Sequence, residues 1–275
     1  MEIKSLQLTP IQEIISTLNL AFSDYFIPIN FTIDYVNERW AASGVDYSLS
    51  FGVFDNNELV GFIIHAINIY GDTKVAYNAS TGIIPIHRRK GLLTKLYEKA
   101  IIKLKENGIQ KSTLECITKN ERAILAYQKV GFNIDRQYHL YKLEWKQKDI
   151  DTKYKIDISN TFDFSEFNQL ENYFPSIENQ NHCLEKYQDN LIAIKVSDQN
   201  EIIAYLLFHK ISKRIHRLGV KQNDWNTFGE VLFSGLETGS YNIINIDTQN
   251  KSLHAFFRKM NFDNYIDQYD MSFDF

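Results

Sequence analysis

Residues 81–96 read Thr-Gly-Ile-Ile-Pro-Ile-His-Arg-Arg-Lys-Gly-Leu-Leu-Thr-Lys-Leu. An extended run ends at Pro85, and a short basic loop then enters a helix through Gly91. A helix N-terminus leaves backbone N–H groups without intrahelical acceptors and carries a partial positive charge, so it attracts anions. Arg88, Arg89 and Lys90 add charge there, and a glycine at 91 lets an anion approach the backbone. The chemistry suggested is phosphate or pyrophosphate binding. The alternative for the loop taken alone is a solvated basic turn.

The loop has company further on. Pro85-x-x-Arg88-x-x-Gly91-x-Leu93 is followed by Asn120-x-x-Ala123-x-x-x-Tyr127-x-x-x-Gly131-Phe132. Together these resemble the GNAT superfamily of acyl-CoA-dependent N-acetyltransferases, over most of residues 1–145. The first part is similar to that family's (Arg/Gln)-x-x-Gly-x-(Gly/Ala) pyrophosphate loop, with Leu93 as a departure from the usual small residue. The resemblance implies an α/β mixed-sheet fold and direct acetyl transfer from acetyl-CoA to a primary amine of a small molecule or peptide. It also implies site residues. Backbone groups of Ile83 and Ile84 would pair with the pantetheine arm as an added strand does. Arg88, Arg89, Lys90, Gly91, Leu92, Leu93 and Thr94 would wrap the pyrophosphate, and Asn120 would hold the pantetheine or the neighbouring strand edge. The Tyr127 hydroxyl would face the thioester sulfur.

That hydroxyl has chemical work to do. Acyl transfer expels a thiolate, and a thiol of pKa about 8.5 leaves more readily beside a proton donor. The acceptor has the opposite need: an alkyl amine is neutral only about one part in a thousand near pH 7.4, so a base must take its proton. Glu115 is the candidate base, with a plain surface carboxylate as its alternative. The acceptor pocket in such folds lies under the first helices, here Phe22, Tyr25, Phe26, Trp40 and Asn78. Aromatic faces can hold a cation there, or these residues are ordinary core. The non-catalytic alternative for the whole chain is an acyl-CoA-binding sensor or partner-binding module in which Tyr127 is structural.

These residues must be positioned by regular elements, and the periodicity supplies them. Helices are expected over 11–22, 33–42, 91–107 and 120–130, and strands over 47–54, 59–69, 74–85, 111–117 and 133–145. Leu92, Leu96, Ala100 and Leu104 share one helical face. Helices and strands alternate in the second half of this run, as an α/β domain requires. The polar run 146–153 suggests a linker, dividing the chain into an N-terminal domain (1–147) and a C-terminal domain (153–275).

The second half repeats the first. Glu58-Leu59-Val60-Gly61-Phe62 matches Glu201-Ile202-Ile203-Ala204-Tyr205, and the Asn120…Phe132 run matches Asn250…Phe262 at the same internal spacing. Two tandem GNAT-like domains are therefore expected. The second copy has no Pro-x-x-Arg-x-x-Gly pattern, and Phe257 stands where the first has Tyr127. It is expected to keep the fold without the catalysis.

Composition narrows the classes. The chain has 275 residues, 44% hydrophobic and 23% charged, with a net charge of −4. Such values fit a folded, soluble protein of two domains. The negative balance argues against nucleic acid as a partner. Cys116 and Cys183 lie far apart and His182-Cys183 has no companion ligands, so neither a disulfide framework nor a metal site is expected. The apolar run 59–70 is interrupted by His65 and Asn68 and is too short to span a bilayer, so no membrane association is expected. A cytoplasmic location and a possible homodimer complete the expectations.

Overall fold

The computed structural model describes residues 1–27, 30–70 and 73–275. By internal contacts the chain forms two compact units, Met1–Asp135 with Asp270–Phe275, and Arg136–Tyr269. These are not the linear segments 1–147 and 153–275 expected from the polar run. Residues 136–147 belong with the second unit and 270–275 with the first. The polar run marks a break in hydrophobicity, whereas unit membership follows strand pairing, which can be non-local.

The first unit contains β1 (Glu2–Ser5), α1 (Ile11–Ala21), α2 (Ile33–Ser43), β2 (Phe51–Asp55), β3 (Glu58–Tyr70) and β4 (Thr73–Ile83). It continues with α3 (Leu92–Glu106), β5 (Lys111–Ile117) and α4 (Glu121–Val130). Its sheet runs β1-β2-β3-β4-β5, and the last residues of the chain lie on the far side of β5. All pairs are antiparallel except β4–β5, which is parallel. The expected helical face of Leu92, Leu96, Ala100 and Leu104 is buried in full. Asn56 and Asn57 turn the β2–β3 hairpin with positive φ at both positions, the backbone a two-residue hairpin loop demands.

The second unit takes in most of β6 (Asn133–Trp145), then β7 (Lys155–Ser159), α5 (Asn181–Leu184), β8 (Leu191–Asp198) and β9 (Glu201–His209). It goes on through β10 (Arg214–Val220), α6 (Trp225–Ser234), β11 (Gly239–Asp247), α7 (Lys251–Lys259) and the start of β12 (Asp263–Asp274). Its sheet runs β6-β11-β10-β9-β8-β7, again with a single parallel pair, β10–β11. The core packs Trp225, Phe233, Phe256 and Phe257 against Ile194, Leu206 and Ile243.

Irregularities repeat along with the regular elements. A bulge leaves Val60 out of the β2–β3 ladder, and one leaves Ile203 out of β8–β9. A second pair of bulges leaves Ala79 out of β3–β4 and His216 out of β9–β10. Gln199 and Asn200 repeat the positive-φ hairpin turn of Asn56 and Asn57. A bulge re-aims the side chains beyond it, so sharing two of them at matched places argues for a duplicated unit. The second copy is shorter where the sequence offset falls. Its β10 has 7 residues to the 11 of β4, and α6 has 10 to the 15 of α3.

Candidate active site

The β4–β5 ladder pairs Val75–Lys111, Ala76–Ser112 and Tyr77–Thr113 and stops there, although β4 continues to Ile83 and β5 to Ile117. The bulge at Ala79 lies just past the last pair. Beyond it a groove of about 810 Å³ opens, walled by the end of β4, the 87–94 loop, one face of α4 and the end of α1.

The loop wall is built for an anion. Arg89 (φ +63°) and Gly91 (φ +71°) both take left-handed backbone, and Gly91 precedes α3 without any side-chain cap. The first hydrogen bond of α3 runs from Lys95 N–H to Gly91 O at 3.3 Å. The N–H groups of Leu92, Leu93 and Thr94 come before it and have no intrahelical acceptor. A Cβ at Gly91 would meet nothing within 4 Å, so that position faces open space in the groove. Arg88 plays a different part from the one expected. Its guanidinium binds Asp24 through both carboxylate oxygens (2.6 and 2.7 Å), Ala21 O (2.8 Å) and Ile83 O (3.0 Å). It fastens the loop to the end of α1, and its side chain is spent there. The Arg88 hydrogen bond in turn holds the Asp24 carboxyl below the usual carboxylate range. Arg89, Lys119, Arg122 and Lys129 bring positive charge to the groove.

The pantetheine expectation divides. Ile83 lines the groove, while the Ile84 N–H is given to Val60 O at 3.0 Å and Ile84 takes no part in the lining. Asn120 also lines the groove, but its Oδ1 accepts from Ala123 N–H at 3.3 Å as the N-cap of α4. Its side chain lies near the Tyr25 hydroxyl and works against the rise that burial imposes there.

Tyr127 is only 9% exposed and faces the groove. Its ring stands edge-on to Tyr97 (6.2 Å between centroids) and Phe132 (5.8 Å). Thr81 and Asn78 lie beside its hydroxyl and offset part of the effect of burial on it. Asn78 is fixed in turn, donating to Tyr97 Oη (2.8 Å) and accepting from Thr81 (2.8 Å). Burial, with the nearby Cys116 thiol second, pushes the Tyr127 hydroxyl well above the usual tyrosine range. Tyr25, beside it in the groove, is pushed up to about 12 for the same two reasons. Burial raises Cys116 itself to about 12.

Glu115 lies outside the groove lining. Its Oε2 accepts from the Tyr77 hydroxyl at 2.6 Å. Alternation along β5 puts Glu115 on the sheet face opposite Cys116 and hence opposite Tyr127. Of the expected acceptor residues, Phe22, Tyr25 and Phe26 meet at the groove, with Phe26 54% exposed at its edge. Trp40 and Asn78 do not join them. Trp40 is core, packed edge-on against Tyr47, and Asn78 is buried beneath Tyr127. Thr81 and Tyr97 escaped sequence reasoning because only the bulge brings Asn78 and Thr81, three apart, to one side. Arg122, Leu125, Ala126 and Lys129 did carry a signal, the i, i+3, i+4, i+7 spacing of one helical face.

The second unit fills the matching places with its own atoms. Asp224 precedes α6, and its carboxylate accepts from Thr227 N–H at 3.1 Å. The Asn172 amide spans the end of β10, donating to Val220 O and accepting from Val220 N–H, both at 3.0 Å. Phe257 is fully buried. Among the described residues no group of three or more His, Cys, Asp or Glu could hold a metal ion, and no helix is long and apolar enough to cross a membrane.

Residues 14–132 match the sequence model of the Acetyltransferase (GNAT) family. The chain is 32% identical over 94 residues to N-alpha-acetyltransferase 30 of Schizosaccharomyces pombe and 31% identical over 94 residues to N-alpha-acetyltransferase MAK3 of Arabidopsis thaliana. Each match takes in 34% of this chain, and the chain spans only 63% and 50% of the lengths of those relatives. A tandem GNAT protein from the clavulanic acid biosynthesis pathway superposes with a TM-score of 0.71 at 11% identity, over 99% of this chain and 98% of that one. A putative acetyltransferase from Pyrococcus horikoshii gives 0.69 at 15% identity, over 100% and 89%. These structures share the fold, and the family match is confined to residues 14–132.

Proposed function

We propose that the first unit is an N-acetyltransferase that moves an acetyl group from acetyl-CoA directly to a primary amine. The observation that carries this reading is the buried Tyr127 hydroxyl, set beside Thr81 in a groove that also takes in the uncapped start of α3. A donor for a thiolate and a cradle for a pyrophosphate then share one cavity.

Acetyl-CoA, as cosubstrate, supplies the acetyl group and a thiol leaving group. The N–H groups of Leu92, Leu93 and Thr94 would hold its pyrophosphate, with Arg89 and Lys90 adding charge, and the Ile83 backbone would receive its pantetheine arm. Tyr127 gives its proton to the departing sulfur. Glu115, held by Tyr77 on the opposite sheet face and absent from the groove lining, is not placed to act as the base, so the proton of the attacking amine leaves to water or to another group in the groove. Tyr25 and Phe26 would border the acceptor. The two N-alpha-acetyltransferase relatives weigh toward a peptide N-terminal amine, and a small-molecule amine fits the same chemistry. The second unit is read as a copy that binds no acetyl-CoA: Asp224 caps α6, Asn172 occupies the Val220 backbone, and Phe257 has no proton to give.

Titration calorimetry with acetyl-CoA tests both halves of this reading. One site per chain is expected, abolished by Gly91→Asp, which sets a carboxylate against the pyrophosphate. Two sites would mean that the second unit is competent, and no binding would sink the transferase reading. Binding without thiol release for any amine would leave an acyl-CoA sensor instead.

A further inference from the structure

The proposed acid, Tyr127, sits in the last turn of α4, and that turn leans on the far end of the chain. The Tyr127 carbonyl accepts from both Gly131 N–H and Phe132 N–H at 3.1 Å, so the helix end and the tyrosine move together. The Phe273 ring lies against this turn. A Cβ on Gly131 would come within 2.5 Å of it, and the Phe132 ring packs on it at 5.6 Å. Phe132 in turn touches both Tyr127 (5.8 Å) and Tyr97 (5.3 Å), the two rings that organise the hydroxyl. The segment carrying Phe273 is pinned to β5 by Phe275 N–H to Gln110 O (2.9 Å) and by Lys111 with Asp274 (3.4 Å).

Resting on the acyl-transfer reading of the groove, we propose that Phe273 is a positioning residue for Tyr127: its ring, wedged under Gly131-Phe132, sets where the phenol hydroxyl stands. Gly131 belongs to the same device. Its φ of +125° and the close ring both exclude a side chain, so the helix end can settle onto Phe273 only as glycine. Phe273 itself is no part of the groove lining, so acetyl-CoA should not feel its loss directly.

The full-length chain is the material for the test. Phe273→Ala is expected to lower kcat about tenfold while KM and calorimetric affinity for acetyl-CoA stay within twofold. Phe273→Leu, which refills most of the space, should recover most of that loss. In a Tyr127→Phe background the Phe273→Ala penalty should vanish, since there is no hydroxyl left to place. Phe273→Val, which empties less of the space, should show the same split at smaller size if Phe273→Ala fails to fold. A second readout does not need turnover. In protein labelled with ¹³C at the tyrosine ε carbons, the signal lost in Tyr127→Phe should shift or broaden in Phe273→Ala and return in Phe273→Leu. An unmoved Tyr127 signal, or a Phe273→Ala loss that appears only as weaker acetyl-CoA binding, overturns the proposal. Absence of thiol release in the wild type would instead strike the transferase reading, and the carbon signal would still decide the role of Phe273.

Discussion

A buried phenol keeps its proton longer and is a weaker acid for it. Burial holds the Tyr127 proton well past the ordinary tyrosine range, so the hydroxyl stays protonated through neutral and mildly alkaline pH. Tyr127→Phe is therefore expected to cost about 10²-fold in turnover, the scale of general acid catalysis, with acetyl-CoA affinity unchanged. The wild-type pH–rate profile should rise as the amine and its base deprotonate and show no alkaline fall near pH 10, where an exposed tyrosine would ionise. Such a fall, absent in Tyr127→Phe, would mean that the hydroxyl is less buried than described. Another buried group works against the fold in acid. His65 donates from Nδ1 to Leu49 O (2.8 Å), its Nε2 is buried without a partner, and burial lowers its pKa from 6.5 to about 4. The unfolded chain then binds a proton that the folded one refuses, so stability falls as pH drops from about 6.5 toward 4. Across that window the loss from this one group is of the order of 3 kcal/mol. Thermal melts of His65→Gln should show a shallower decline over that window than the wild type, and parallel curves would refute the assignment. Tyr127 could be found by spacing alone. Thr81, which stands beside its hydroxyl and bonds Asn78, could not, because alternation places residues 78 and 81 on opposite faces until the extra residue at Ala79 is known.

Among the elements, the two helix starts tell most. α3 begins at a bare glycine and α6 at an aspartate that satisfies its own first turn, so one end is open to an anion and the other is closed. This contrast was readable, since Gly91 and Asp224 stand in plain view in the sequence. At α4 the cap and the groove share a residue. Asn120→Ala removes the Oδ1 cap of a residue that also lines the groove, and is expected to destabilise the first unit by about 1 kcal/mol in denaturant melts. A loss in the melt with unchanged turnover would confine Asn120 to a structural role. The hairpins were equally legible, because Asn-Asn and Gln-Asn pairs demand positive φ. The short edge strand β1 and the stretch from 160 to 190 were not. The latter is a string of brief 3-10 turns with α5, held by an Asp163–Glu166 capping box and buried Phe164 and Phe167, and it offers no period to detect.

At the scale of the molecule, hydrophobic patterning finds two repeats but misassigns their boundaries. Residues 138–145 pair with β11, and the segment from Asp270 returns to β5, so each unit borrows from the other's stretch of sequence. Polarity at 146–153 cannot report this, since pairing partners lie about a hundred residues away. A fragment of residues 1–147 should therefore lack the strand that covers β5. It is expected to aggregate or to give a poorly dispersed NMR spectrum, and to gain order when a 270–275 peptide is added. A monomeric, well-dispersed fragment that binds acetyl-CoA unaided would contradict this.

The same arrangement has a cost in time. The first unit reaches Asp135 early in synthesis, yet its last strand emerges about 135 residues later. At 5–20 residues per second that is a wait of roughly 7 to 30 s, with the β5 edge unpaired and exposed to other chains. The half of the protein proposed to do the chemistry thus keeps one sheet edge open until nearly the whole of the other half has been made.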